Sequence, residues 1–122
     1  MNLHENARKH YQIKSRDCLG TIEVPEWSDG ETLALVYVKR LTAGQQLDIQ
    51  DCFARKDFKG SQLLQFIYSA CNEDMTPIFK NNESGRYIVE NEIDGSFTTD
   101  IIDKINKMVA GSRQDLEDEK KN

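Results

Sequence analysis

Apolar and polar positions follow two different rhythms along this chain, and each rhythm predicts its own kind of element. Around Leu33, Leu35 and Tyr37 the alternation has the two-residue period of a strand, and a second apolar pair, Ile22 and Val24, precedes it. Between them Pro25 removes a ladder donor, and the Ser28-Asp29-Gly30 stretch supplies a tight turn. Residues 20–41 therefore read as a β-hairpin. Its second strand is apolar on both faces between Leu33 and Val38, whereas a strand with one wet face would alternate. Cover is needed on both sides: a helix on one, and on the other either a loop or a subunit or client protein.

From Thr42 the period becomes helical. Thr42 and Gln45 have the spacing of a capping box, which starts a helix over about 42–56 with Ile49, Cys52 and Phe53 as its buried stripe. Asp57-Phe58-Lys59-Gly60 breaks it, Gly60 suits a C-terminal cap, and Ser61 suits the start of the next helix, 61–73. There Leu63, Phe66, Ile67 and Ala70 form one stripe and Leu64, Tyr68 and Cys71 a second, the pattern of a central helix. Asn81 to Gly85 has loop composition, and Tyr87-Ile88-Val89 reads as a short strand or a packed loop segment. After the Asp94-Gly95-Ser96 turn, Thr98 or Thr99 caps a last helix, 98–110, in which Ile101, Ile102, Ile105, Met108 and Val109 keep helical spacing up to Gly111.

The two ends lack such patterns. Residues 1–17 mix Arg8, Lys9, Lys14 and Arg16 with Glu5 and Asp17, and read as a flexible arm, either a frayed helix or unstructured, with ordering on a neighbouring subunit as the functional alternative. Residues 112–122 read as a polar tail, loose or briefly helical. The expected fold is mainly α with a small N-terminal β-hairpin, an α+β arrangement of three or more helices packed as one compact domain over residues 18–111.

Composition narrows the function more than the fold. A chain of 122 residues buries roughly two-thirds of its unfolded surface in one core. The net charge of −5 and a pI near 5.0 leave no basic stripe for neutralising phosphates, so nucleic acid is not an expected partner. The longest apolar run, Leu33 to Val38, falls far short of the ~20 residues that cross a bilayer, and residues 1–17 hold no apolar signal core. The expected location is the cytoplasm. Cys18, Cys52 and Cys71 form no C-x-x-C pair and read as reduced thiols.

Candidate chemistry is sparse. The only histidines, His4 and His10, lie in the arm, where no packing would fix a catalytic geometry. Asp48 with Asp51, Glu73 with Asp74, and the Asp115 to Glu119 run have the look of solvated charge, without the spacing of a calcium loop. No enzyme activity, cofactor or metal is expected, which leaves function to surfaces. Trp27, Tyr37, Phe66 and Tyr68 are the candidate partner or oligomer surface, with filling of the monomer core as the alternative use of all four.

Several segments carry a family likeness. Ile22-Glu23-Val24-Pro25-Glu26-Trp27, a strand ending at Lys39-Arg40, then Leu41-Thr42-Ala43, Ala70-Cys71-Asn72-Glu73-Asp74 leading to Pro77-Ile78-Phe79, Ile105-Asn106 to Gly111, and Glu119-Lys120-Lys121-Asn122 stand in order across residues 21–122. Together they resemble the tail assembly chaperones of long-tailed, lambda-like phages. The family usually has glycine where Met75 stands, so a different backbone geometry is expected in the turn before Pro77, because Met tolerates positive φ poorly. Residues 80–97 match nothing specific in the family.

The resemblance implies a protein that coats the long, largely helical tape measure protein before tail tube subunits polymerise around it. It also implies self-association, action in the host cytoplasm, absence from the mature virion, and a longer frameshifted form whose extension recruits the tail tube protein. Lys120-Lys121 is compatible with an adenine run on which ribosomes slip. The competing reading is a small regulatory or immunity-type protein that binds and inhibits one folded partner.

Overall fold

A computed structural model of the chain describes the backbone of residues 1–16 and 18–121 and the side chains of residues 1–9 and 18–111. Helix α1 (Leu3–Arg16) is followed by strand β1 (Cys18–Glu23), a one-turn 3-10 helix (Pro25–Trp27), and strand β2 (Leu35–Lys39). Then come α2 (Ala43–Ala54), α3 (Phe58–Ser69), the short strand β3 (Ala70–Cys71), α4 (Glu83–Asn91) and α5 (Gly95–Lys121). The architecture is α+β and mostly helical, as the pattern predicted.

β1 and β2 form the expected antiparallel hairpin, with Thr21 opposite Tyr37 and Ile22 opposite Val36. Gly30 closes its tip at φ +59, between Asp29 and Thr32, which exchange backbone hydrogen bonds of 3.3 and 3.1 Å. β3 was not expected. Residues 70 and 71 continue the helical period of α3, yet Ala70 leaves the helix at φ −85 and ψ 114, and both residues pair with Val38 and Tyr37. The open edge of β2 supplies backbone partners, and that tertiary pairing outweighs a local period extended by two residues.

The inner face of the sheet packs on α3 and α5. Val38 and Phe66 are fully buried, and Ile22, Val36, Ile67, Ile101 and Ile105 complete the centre of the core. Gly20 allows close approach of α5, since a methyl group there would press on the Met108 thioether. The outer face is less covered than expected, with Leu35 at 37% and Leu33 at 44% exposed and Tyr37 half-buried.

Helix boundaries reveal which local signals acted. The capping box is present: the Gln45 N–H donates to Thr42 Oγ1 (3.2 Å), and the Thr42 N–H donates to Gln45 Oε1 (3.0 Å). α2 ends in a Schellman arrangement, with Asp57 N–H on the Cys52 carbonyl (2.8 Å) and Lys56 N–H on that of Phe53 (3.0 Å). The left-handed position belongs to Lys56, at φ +60, and not to Gly60. Gly60 instead lies in the first turn of α3, where its N–H donates to the cap Asp57 (2.9 Å), so α3 begins at Phe58 ahead of the expected 61.

A second left-handed residue corrects the expectation for the turn before Pro77. Met75 does adopt positive φ, +68, in a three-residue hairpin loop where its N–H donates to Asn72 O and Asn72 N–H donates to Thr76 O, both at 2.8 Å. This is a type I turn followed by a left-handed residue, where glycine is usual. Asp74 holds it by accepting from Thr76 N–H (3.0 Å) and Thr76 Oγ1 (2.5 Å).

Residues 83–91 form a helix in place of the expected strand or packed loop. Asn82 caps α4 by accepting from Gly85 N–H (2.8 Å), and Val89 enters the core. Gly85 is buried so tightly that a methyl group would overlap the Lys80 carbonyl oxygen. α5 starts at Gly95, ahead of the expected 98 and of the expected caps Thr98 or Thr99, because Asp94 is the effective cap, accepting from Ser96 N–H (2.8 Å). It also continues beyond Gly111 to Lys121, so the backbone of the predicted polar tail is helical, while the side chains of residues 112–122 lie outside those described. The predicted arm is likewise helix α1; His4 and the rest of residues 1–9 are exposed, and His10 lies outside the described side chains. Among the described residues no helix is long and apolar enough to cross a membrane.

Candidate functional site

Two concavities flank the α2–α3 pair, and their chemistry is opposite. The first is a polar notch of about 390 Å³ that includes Asp48, Asp51, Arg55, Tyr68, Asn81 and Arg86 in its lining. A chain of hydrogen bonds crosses it: Arg86 Nε donates to Asn81 Oδ1 (2.8 Å), Asn81 Nδ2 to Tyr68 Oη (3.1 Å), and Tyr68 Oη to Asp48 Oδ2 (2.8 Å). Burial, followed by the hydrogen bond to the Asp48 carboxylate, raises the Tyr68 hydroxyl above its ordinary pKa. A phenol held protonated as a donor fastens α2 to α3 and to the loop before α4.

The second concavity is a cleft of about 570 Å³ between α2, α3 and α5. Its apolar lining comes from Leu19, Leu41, Ile49, Phe53, Ile105 and Val109. Its polar lining is mostly amide, from Gln46, Gln50, Gln65 and Asn106. Gln65 Nε2 donates to Asn106 Oδ1, joining α3 to α5 on one side.

The cleft exists because α2 packs on α3 but not closely on α5. Of the predicted α2 stripe only Cys52 is buried; Ile49 is half-buried and Phe53 is 53% exposed. Phe58, at the start of α3 and 56% exposed, meets Phe53 edge-on with ring centroids 5.8 Å apart, extending the apolar mouth.

The four aromatic residues picked from sequence are not brought together. Phe66 is 0% exposed and stacks on Phe79 at 6.0 Å, so it is a core residue and leaves the set of surface candidates. Trp27 is 37% exposed and rests on Phe97 (4.9 Å) and Phe79 (6.2 Å). Tyr37 lies on the outer sheet face and Tyr68 in the polar notch. The cleft residues Ile49 and Phe53 had been legible only as a stripe to be buried. Their openness had no local signal, since it depends on how far α5 stands from α2.

The cysteines offer no alternative centre. All three are free thiols; Cys52 and Cys71 are buried, and burial pushes the Cys71 thiol above its ordinary pKa despite the opposing influence of Lys39. No family model, no curated protein and no solved structure matches this chain.

Proposed function

We propose that this chain is a tail assembly chaperone that captures helical segments of the tape measure protein and keeps them soluble while the tail tube forms, without catalysis. The observation that carries the reading is the open cleft, where α2 leaves half of its apolar stripe uncovered beside Ile105 and Val109. A groove floored by aliphatic side chains suits an amphipathic helix laid in by its apolar face. The net charge of −5 favours solubility of a coated client. The family likeness of residues 21–122 supplies the identity of that client. In the same reading the chain acts in the host cytoplasm and self-associates, and a longer frameshifted form recruits the tail tube protein.

Co-expression with the tape measure protein of the same phage tests the proposal. The wild-type chain should render that protein soluble, and Phe53→Glu, at an exposed position, should fold normally and fail to do so. A tape measure protein that stays insoluble with wild type, or that Phe53→Glu rescues equally well, overturns the reading. A stable one-to-one complex with a folded partner would support the regulatory alternative instead.

A further inference from the structure

We propose that the cleft selects helices whose apolar stripe is bordered by uncharged polar side chains, so that capture proceeds without ion pairs; this rests on the client-capture reading above. A helix lying on Ile49, Phe53 and Val109, above the buried Ile105, directs its flanking residues at the rims. On the α2 rim these meet Gln46 and Gln50, one turn apart on the same edge. On the opposite rim they meet the joined amides of Gln65 and Asn106.

Gln46 and Gln50 each bring both donors and an acceptor, and the joined Gln65 and Asn106 keep the Gln65 oxygen and the Asn106 amide hydrogens, so the rims satisfy an amide or hydroxyl presented in either sense. None of these amides supplies the opposite charge that would offset the lost hydration of a lysine or glutamate flank. Among the described residues no carboxylate lines the cleft, and Arg40 is its only ionic side chain. The chain's acidity is placed elsewhere. Asp48 and Asp51 line the polar notch, while Asp100 and Asp103 on α5 are engaged by Lys104 (3.1 Å) and Lys107 (3.0 Å). Net charge alone points to a basic partner; the cleft points to a neutral one.

Three helical peptides with the same Leu and Ile stripe, and with flanks of Gln, Lys or Glu, separate these expectations when titrated into the full-length protein and followed by fluorescence anisotropy. The Gln-flanked peptide should bind at least about fivefold more tightly than either charged one. Its affinity should change less than about twofold between about 50 and about 500 mM NaCl. A Lys-flanked peptide that binds best at low salt and loses that advantage at high salt overturns the proposal.

The double variant Gln46→Glu, Gln50→Glu adds charge to the rim alone and should tighten the Lys-flanked peptide by about tenfold at low salt; no change means that the rim does not meet the occupant and overturns the proposal. Failure of all three peptides, with the tape measure protein still solubilised, rejects the cleft as the site but spares the chaperone reading. Binding of the Gln peptide without solubilisation supports the selectivity and rejects the phage client. A wild-type dimer that Phe53→Glu dissociates makes a second copy the occupant, and that too overturns the proposal.

Discussion

Helix α3 has an apolar seam on each side, and the two seams end differently. Toward the sheet and α5 it is closed: Phe66 is 0%, Ile105 1% and Ile67 2% exposed. Toward α2 it opens into the cleft, where Phe53 remains 53% exposed. Both seams are written in the same helical spacing of Ile, Leu and Phe. The spacing states which side chains prefer to leave water, and the number of elements available to cover them decides which ones do. The sheet and α5 already occupy one flank of α3, and α2 alone is too narrow to seal the other.

The most damaging way to break this comparison lies in the closed seam. Phe66→Ala should lower the unfolding free energy by about 3–5 kcal/mol in urea denaturation, while Phe53→Ala should cost less than about 1 kcal/mol because half of that ring is already in water. Equal losses would mean that the cleft is closed in solution. Trp27→Ala is expected between them, at about 1–2 kcal/mol, since it forfeits two ring contacts from a partly exposed site. A loss as large as that of Phe66→Ala would place Trp27 in the core.

A gain should come from the turns. Lys56 follows α2 on the open side of α3, and Met75 follows β3 on the sheet side; both hold positive φ, where glycine is unstrained. Met75→Gly and Lys56→Gly should each raise stability by about 0.5–1 kcal/mol in the same measurement, the relief of strain exceeding the entropy that glycine adds to the unfolded chain. A loss at Met75 alone would show that its half-buried side chain contributes more than its backbone strains.

The smallest expected effect is on acid stability. The Ser96 hydroxyl and backbone N–H hold the Asp94 carboxyl below its ordinary pKa, and Thr76 does the same for Asp74. A depressed folded pKa means stability that is present above the unfolded value and lost as pH falls through the folded one, so both contributions should fade below about pH 4. Asp94→Asn, which retains an acceptor for the cap, should flatten the melting temperature against pH in that range. An unchanged profile would show that this carboxylate adds nothing beyond its hydrogen bonds.

Much of the local structure was legible because it is local in cause. The capping box of Thr42 and Gln45, the turn at Gly30 and the stripe of α5 each depend on residues within one or two turns of one another. Where local signals are ambiguous, composition misleads: Asn82 sits in a stretch of loop composition yet caps α4, and Gly60 suits a terminator yet lies within α3, which Asp57 caps.

From sequence alone came the α+β class, the hairpin, three of the helices and the expectation that function resides in surfaces. Only the tertiary structure decided that Ala70 and Cys71 join the sheet, that Phe66 is sealed inside, and that Ile49 and Phe53 face an open cleft. The reason is physical. Helical and strand periods arise from neighbours along the chain, whereas the fate of an apolar side chain depends on whether some distant element, here α5 or the edge of β2, comes close enough to cover it.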